Sequence, residues 1–173
     1  MQVLFVQGAG AGAHDEWDQK LVADLGHHLG RDYVVRFPRM PDEANPRYGA
    51  WNAAIERELD ADILVGHSIG GTILAHTLAE RARSYRALIL IAAPFIGEGG
   101  WPSDEIGARS HFELPSPVWL FHGAADKTAP VAHAHLYAKA IPNASLTVLE
   151  GRDHQMNNDL REVAAVIRAN VVE

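Results

Sequence analysis

Ser68 stands at the centre of Gly66-His67-Ser68-Ile69-Gly70, with the apolar run Ile63-Leu64-Val65 before it and a helix-like stretch from Ile69 after it. A serine hydroxyl is a weak nucleophile at neutral pH. Acyl transfer therefore needs a base for its proton, a group that orients the base, and donors for the oxyanion. A sharp strand-to-helix turn lifts such a serine above a sheet, and small neighbours such as Gly66, Gly70 and Gly71 let helix and strand approach closely. The G-x-S-x-G spacing arises by accident on the order of 0.05 times in a chain of this composition, so the flanking strand and helix add most of the weight. The competing reading is a Gly-rich turn with an incidental serine, or one that cradles phosphate. No Lys-Ser or Lys-Thr pair follows, which weakens the phosphate version.

The base must come from the 10 histidines, and position sorts them. Sites in open parallel sheets gather at the carboxyl ends of the strands. His154 follows the last predicted strand in Gly151-Arg152-Asp153-His154 and reaches the same edge as Ser68. Two other histidines compete. His67 adjoins the serine and is expected to point away from it, and His122 closes a strand and reads as a packed or turn histidine. Asp126, in the turn between the fifth predicted strand and Pro130, is the candidate to orient His154. A residue a few positions ahead of a proline is also suited to cap a helix. Asp153 is the lesser candidate, because neighbouring side chains rarely face each other. For the oxyanion, one amide is available at Ile69 and a second in Gln7-Gly8-Ala9-Gly10-Ala11-Gly12, where Ala9 fits best and Gly8 and Gly10 stand close behind. That glycine pattern lacks the third glycine of a dinucleotide fingerprint.

Six apolar runs supply the strands that must hold these residues: Val3–Val6, Tyr33–Phe37, Ile63–Val65, Ala87–Ala92, Val118–Phe121 and Leu146–Leu149. Between them, Trp17–Leu29, Tyr48–Leu59, Ile69–Arg83, Val131–Ile141 and Leu160–Val171 carry apolar residues at three- and four-residue spacing. Strand and helix alternate throughout, which implies a parallel sheet with covering helices in one domain over residues 1–173. Pro94–Pro117 is the irregular piece, rich in Gly and Pro yet holding Phe95, Ile96, Trp101 and Phe112. It reads as a long loop with one short helix around Asp104–Arg109. Its aromatics, Phe95 and Trp101 first, either rim a binding site or patch the core.

A net charge of −7 and the lack of Lys/Arg runs interleaved with aromatics argue against nucleic acid as a partner. Met1-Gln2 leads straight into the first strand without a charged leader, and no run is long enough to span a bilayer, so a soluble, cytoplasmic protein is expected. Without cysteine there is no thiolate catalysis and no Cys-based zinc site. His133 and His135 flank one alanine on a predicted helix and make a poor chelating pair. His27 and His28 suit a helix carboxyl end. His14 lies beside the Ala9–Gly12 loop and reads as a turn histidine before a ligand contact, while Tyr48 and Trp51 read as core.

Together, Gly66-His67-Ser68-Ile69-Gly70-Gly71, Asp126 and Gly151-Arg152-Asp153-His154 resemble the catalytic signatures of the α/β-hydrolase superfamily over nearly the whole chain. The short length, the Trp17 region and the Trp51 helix resemble more narrowly the small serine hydrolases that include a retinoblastoma-binding hydrolase and its bacterial relatives. The resemblance implies a three-layer α/β/α sandwich around a six-stranded, mainly parallel sheet in the order 2-1-3-4-5-6, with no metal and no cofactor. Two features depart from the pattern. Gln7-Gly8 stands where many relatives have His-Gly, and only Pro94–Pro117 occupies the place of a cap domain.

The expected activity is that of a serine hydrolase on a small-molecule acyl ester, with Ser68 as nucleophile, His154 as base, Asp126 holding the imidazole, and Ile69 with Ala9 binding the oxyanion. Gly8, Gly10, Phe95 and Trp101 are the expected substrate contacts. The alternatives are a thioesterase or acyltransferase, and a non-catalytic binding protein on the same fold. No protein partner is indicated.

Overall fold

The computed structural model describes residues 1–81, 83–115 and 117–171; Ala82 in one expected helix and Ser116 in the long loop lie outside the described residues. Six strands form one parallel sheet: β1 (Gln2–Val6), β2 (Val34–Arg36), β3 (Ile63–His67), β4 (Ala87–Ile91), β5 (Val118–Gly123) and β6 (Ala144–Leu149). Their order is β2-β1-β3-β4-β5-β6, as the resemblance implied. Register places Val6 beside Gly66, and His67 beside Ile91, so the chain leaves these strands along one edge.

The apolar runs lack alternation because both faces of the sheet are covered, and parity then decides which layer each side chain enters. Leu4, Val6, Leu64, Leu88, Leu90 and Leu120 face one side, with Trp51 and Ile55 of α2 (Tyr48–Glu56), Ile73, Leu74 and Leu78 of α3 (Ser68–Glu80), and Tyr137 of α4 (Ala132–Ala140). Val3, Phe5, Ile63, Val65, Ile89 and Phe121 face the other, with Leu21, Leu25 and Leu29 of α1 (Gln19–Leu29) and Val163, Ala164 and Ile167 of α5 (Arg161–Asn170). The result is the three-layer sandwich. A π-helical turn, Ala13–Asp18, precedes α1 where the sequence pattern suggested one continuous helix from Trp17.

Among the described residues the segment between β4 and β5 holds no α-helix, and the helix expected around Asp104–Arg109 is absent. Ser103 Oγ does accept the N–H groups of Glu105 and Ile106, as a helix cap would. The turn goes no further: Glu105 is drawn off to the Tyr48 N–H at 2.8 Å and to Arg47, Ile106 is buried, and Gly107 follows. Phe95, Ile96, Ile106 and Phe112 are all in the core beside α2, α3 and α4. Coil therefore covers the sheet face that a crossover helix would otherwise cover. Among the described residues no cap domain stands above the carboxyl edge.

Candidate active site

At the end of β3 the chain turns into α3 with Ser68 at φ 52°, a left-handed conformation that costs a non-glycine residue of order 1–3 kcal/mol. The turn is tight enough that a Cβ on Gly66 would lie 2.5 Å from Gly71 Cα, and one on Gly70 would lie 2.0 Å from Gln7 O. Glycine at these positions is thus a packing requirement. Ser68 itself is left half-buried at the head of the helix.

His154 Nε2 lies 2.9 Å from Ser68 Oγ, and His154 Nδ1 lies 2.7 Å from Asp126 Oδ2. Because a carboxylate only accepts, Nδ1 carries the hydrogen and Nε2 is left with a lone pair for the serine proton. The Asp126 side chain is fully buried, whereas that of His154 is 17% exposed, so the imidazole alone of the pair meets solvent. Asp126 also accepts the N–H groups of Thr128 and Ala129 at 2.8 and 2.9 Å. It therefore organises its own turn while it holds His154; the residue preceding α4 is Val131. Burial alone would raise the Asp126 carboxyl, but hydrogen bonds from His122 and His154, the His154 charge and the Ala129 N–H hold it well below the usual carboxylate range.

The sequence did not reveal the part played by His122. Its Nε2–H is shared between Ala129 O at 2.7 Å and Asp126 Oδ2 at 3.1 Å, which makes it a second imidazole donor to the same carboxylate. The only signal available was its place at the end of the strand that leads to Asp126. His67, as expected, turns away from the serine, with Nδ1 2.9 Å from Asp18 Oδ2 and Nε2 2.9 Å from the His154 carbonyl.

The loop after β1 is held by carboxylates. Asp18 accepts the Gly8 N–H at 2.6 Å, and the Glu43 carbonyl accepts the Gly10 N–H at 2.7 Å. The Glu43 carboxylate takes the N–H groups of Gly12 and His14 and the Gln7 amide, the last at 2.7 Å. Burial works to raise that carboxyl, and these donors together with Arg39 bring it below its ordinary range. Gln7, which departs from the family pattern, completes the brace by accepting the Met40 N–H at 2.9 Å. Of the three loop amides considered for the oxyanion, those of Gly8 and Gly10 are thus committed elsewhere. Among the described residues the Ala9 N–H and the Ile69 N–H at the start of α3 donate to no other group.

The expected substrate contacts on the long loop separate. Phe95 is 4% exposed and its ring packs in the core, edge-on to Tyr137. Trp101 stays partly exposed, edge-on to His133, whose Nδ1 accepts the Phe95 N–H. A groove of about 590 Å³ does run beside this segment, lined by Phe95, Arg109, Leu136 and Lys139 among others, but it lies along α4 and none of Ser68, Asp126 and His154 borders it. His14 is a turn histidine: its ring stacks on Phe37 and its Nε2 meets Phe37 O at 3.1 Å. Asp24, His28 and Asp159 come near one another, but Asp159 already carries Arg152 and Arg161 and Asp24 accepts the Leu160 N–H.

Residues 3–114 match the sequence pattern of the alpha/beta hydrolase family. The chain belongs to that family. No curated protein matches its sequence. Among solved structures it is similar to alpha/beta hydrolase domain-containing protein 10 from mouse, at 20% identity and TM-score 0.72, covering 97% of this chain and 88% of that one. It is similar also to the esterase domain of a Rhodothermus marinus protein, at 19% identity and TM-score 0.66, covering 97% and 84%. A third likeness is to MGS-MChE2, an alpha/beta hydrolase enzyme from a metagenome of Mar Chica lagoon sediments, Morocco, at 15% identity and TM-score 0.74, covering 98% and 91%. Each of these supports the hydrolase fold of the chain. No helix among the described residues is long and apolar enough to cross a membrane.

Proposed function

We propose that this alpha/beta hydrolase is a serine esterase that cleaves small acyl esters through an acyl-enzyme on Ser68. The observation that carries the reading is the unbroken hydrogen-bond chain from Ser68 Oγ through both nitrogens of His154 to the buried Asp126. Ser68 Oγ attacks the ester carbonyl carbon while His154 Nε2 takes its proton. The carbonyl oxygen becomes an oxyanion and is met by the N–H groups of Ile69 and Ala9. The C–O bond to the leaving alkoxide then breaks as His154 returns the proton to it. Water attacks the acyl carbon in turn, gives a proton to His154, and the acid departs as Ser68 Oγ is reprotonated.

Asp126 keeps the imidazole in the Nδ1–H tautomer and offsets the charge that it gains. The uncapped edge favours short acyl chains, because no cap among the described residues stands over Ser68 to shield a long one from water. Support for the narrower placement among the small serine hydrolases is the sequence resemblance alone.

Labelling with a fluorophosphonate, followed by an ester panel of increasing acyl length, tests the reading. Labelling at Ser68 and a rate that declines with chain length are expected, with Ser68→Ala losing on the order of 10⁶-fold in kcat. Folded protein that takes no label at Ser68 would sink the enzyme reading in favour of a binding protein.

A further inference from the structure

His67 is 2% exposed, adjoins Ser68 in the chain, and takes no part in the proton transfers just described. Both of its nitrogens face acceptors. A backbone carbonyl, that of His154, cannot donate to Nε2. Asp18, opposite Nδ1, already takes the Gly8 N–H on the same oxygen at 2.6 Å and the Gln155 amide on the other at 3.2 Å, so it is an acceptor on every side. A neutral imidazole carries one N–H, and two acceptors demand two. With Asp18 ionised, His67 is an imidazolium, paired with a carboxylate that is itself 1% exposed.

This buried pair touches three parts of the site at once. Through Gly8 it grips the loop that presents Ala9; through the His154 carbonyl and Gln155 it grips the loop that presents the base; and His67 itself belongs to the turn that presents Ser68. We propose that the Asp18–His67 ion pair is the positioning device that fixes oxyanion loop, nucleophile and base relative to one another, and that loss of its proton sets an alkaline limit on the rate. The proposal rests on the esterase reading of the same site.

The ionisable groups that face His67 are Asp18 from the π-helical turn, His154 from the loop after β6 with ring centroids 5.2 Å apart, and Asp126 from the turn after β5. Burial alone would push the imidazole down. The charge and hydrogen bond of Asp18, the His154 carbonyl and the Asp126 charge outweigh it and hold His67 above the ordinary histidine range. A histidine raised in the folded state contributes stability that is fully present below its unfolded value and is lost as pH rises through the folded one. Once the proton leaves, one nitrogen turns a lone pair toward an acceptor, and either the Asp18 or the His154 tether fails. The three-residue mechanism alone has no such alkaline arm.

Two measurements on the full chain test the proposal: the ¹⁵N resonances of the His67 ring across pH, and kcat and KM against pH for the wild type and His67→Gln. Both ring nitrogens are expected to be protonated at neutral pH, and kcat to fall on the alkaline side with the midpoint at which His67 titrates. His67→Gln should lower kcat roughly tenfold through misplacement of the loops, leave KM within about twofold, and abolish the alkaline arm. Asp18→Asn, which keeps the shape and drops the charge, should move that arm to lower pH and serves if the first variant does not fold. A singly protonated His67 in an active enzyme, or an alkaline arm unchanged in His67→Gln, overturns the proposal. A protein inert toward every ester but with a doubly protonated His67 overturns the esterase reading and the positioning role, and leaves the ion pair standing.

Discussion

The loops that leave β1 and β4 are both irregular, yet they are held by opposite means. The loop after β1 is anchored from outside itself by the carboxylates of Asp18 and Glu43, which accept amide N–H groups. The segment after β4 is anchored by its own apolar side chains, with Phe95, Ile96, Ile106 and Phe112 in the core. An apolar anchor would draw a backbone inward, out of reach of a ligand. Carboxylate anchors instead hold the loop at the surface and leave the Ala9 N–H without an acceptor among the described residues, one position after Gly8, which packs against the Ser68 side chain. The contrast separates a loop that keeps its backbone at the surface from one that replaces a helix.

Phe112→Ala is the strongest way to break that contrast. It should cost about 3–5 kcal/mol in urea unfolding, because the ring is fully buried, while kcat/KM per folded molecule stays within about twofold. Next in size is the acid response of His76, which is 1% exposed under the same segment, edge-on to Phe112, with Nε2 unpartnered. Burial, reinforced by Arg109, pushes this imidazole down to about 4. The unfolded chain then takes the proton first, so stability should fall as pH drops from the ordinary histidine range through about 4, by at most about 3 kcal/mol. Asp126, lowered as a carboxylate, gives up its own contribution only at more acid pH, so His76→Leu should flatten the unfolding profile in the upper window alone. Smallest in free energy is Glu43→Gln, the converse of the first test. It should lower kcat roughly tenfold, about 1.4 kcal/mol, with stability changed by less than that, since the loop it steadies buries little apolar surface. Loss of stability without loss of rate in that variant would erase the distinction between the two loops.

Ser68, Asp126 and His154 were legible because a parallel sheet sends every strand's successor to the same edge, so position after β3, β5 and β6 sufficed to bring them together. The carboxylates that steady the site were not. Asp18 closes a π-helical turn, which has no periodicity to read, and Glu43 lies in coil 31 positions from the Gly12 amide it accepts. The second imidazole on Asp126, that of His122, was equally hidden, because nothing in a strand-terminal histidine tells which atom its ring will meet. The long loop was read as either a rim or a core patch. For Phe95 the structure gives the patch, because a sheet face left without a crossover helix must still be covered.

The layer formed by α1 and α5 joins the two ends of the sequence: the Leu160 N–H reaches Asp24 across 136 positions, and Arg168 reaches the His28 carbonyl across 140. During synthesis, Leu21, Leu25 and Leu29 are followed first by their partners in β3 and lack the α5 part of their layer until Val163, Ala164 and Ile167 are made. Closing that layer is therefore a long-range step, made across more of the sequence than any strand pairing in the sheet. His154 precedes α5 in the chain, so the proposed base and the seal on the second layer come from one stretch of sequence.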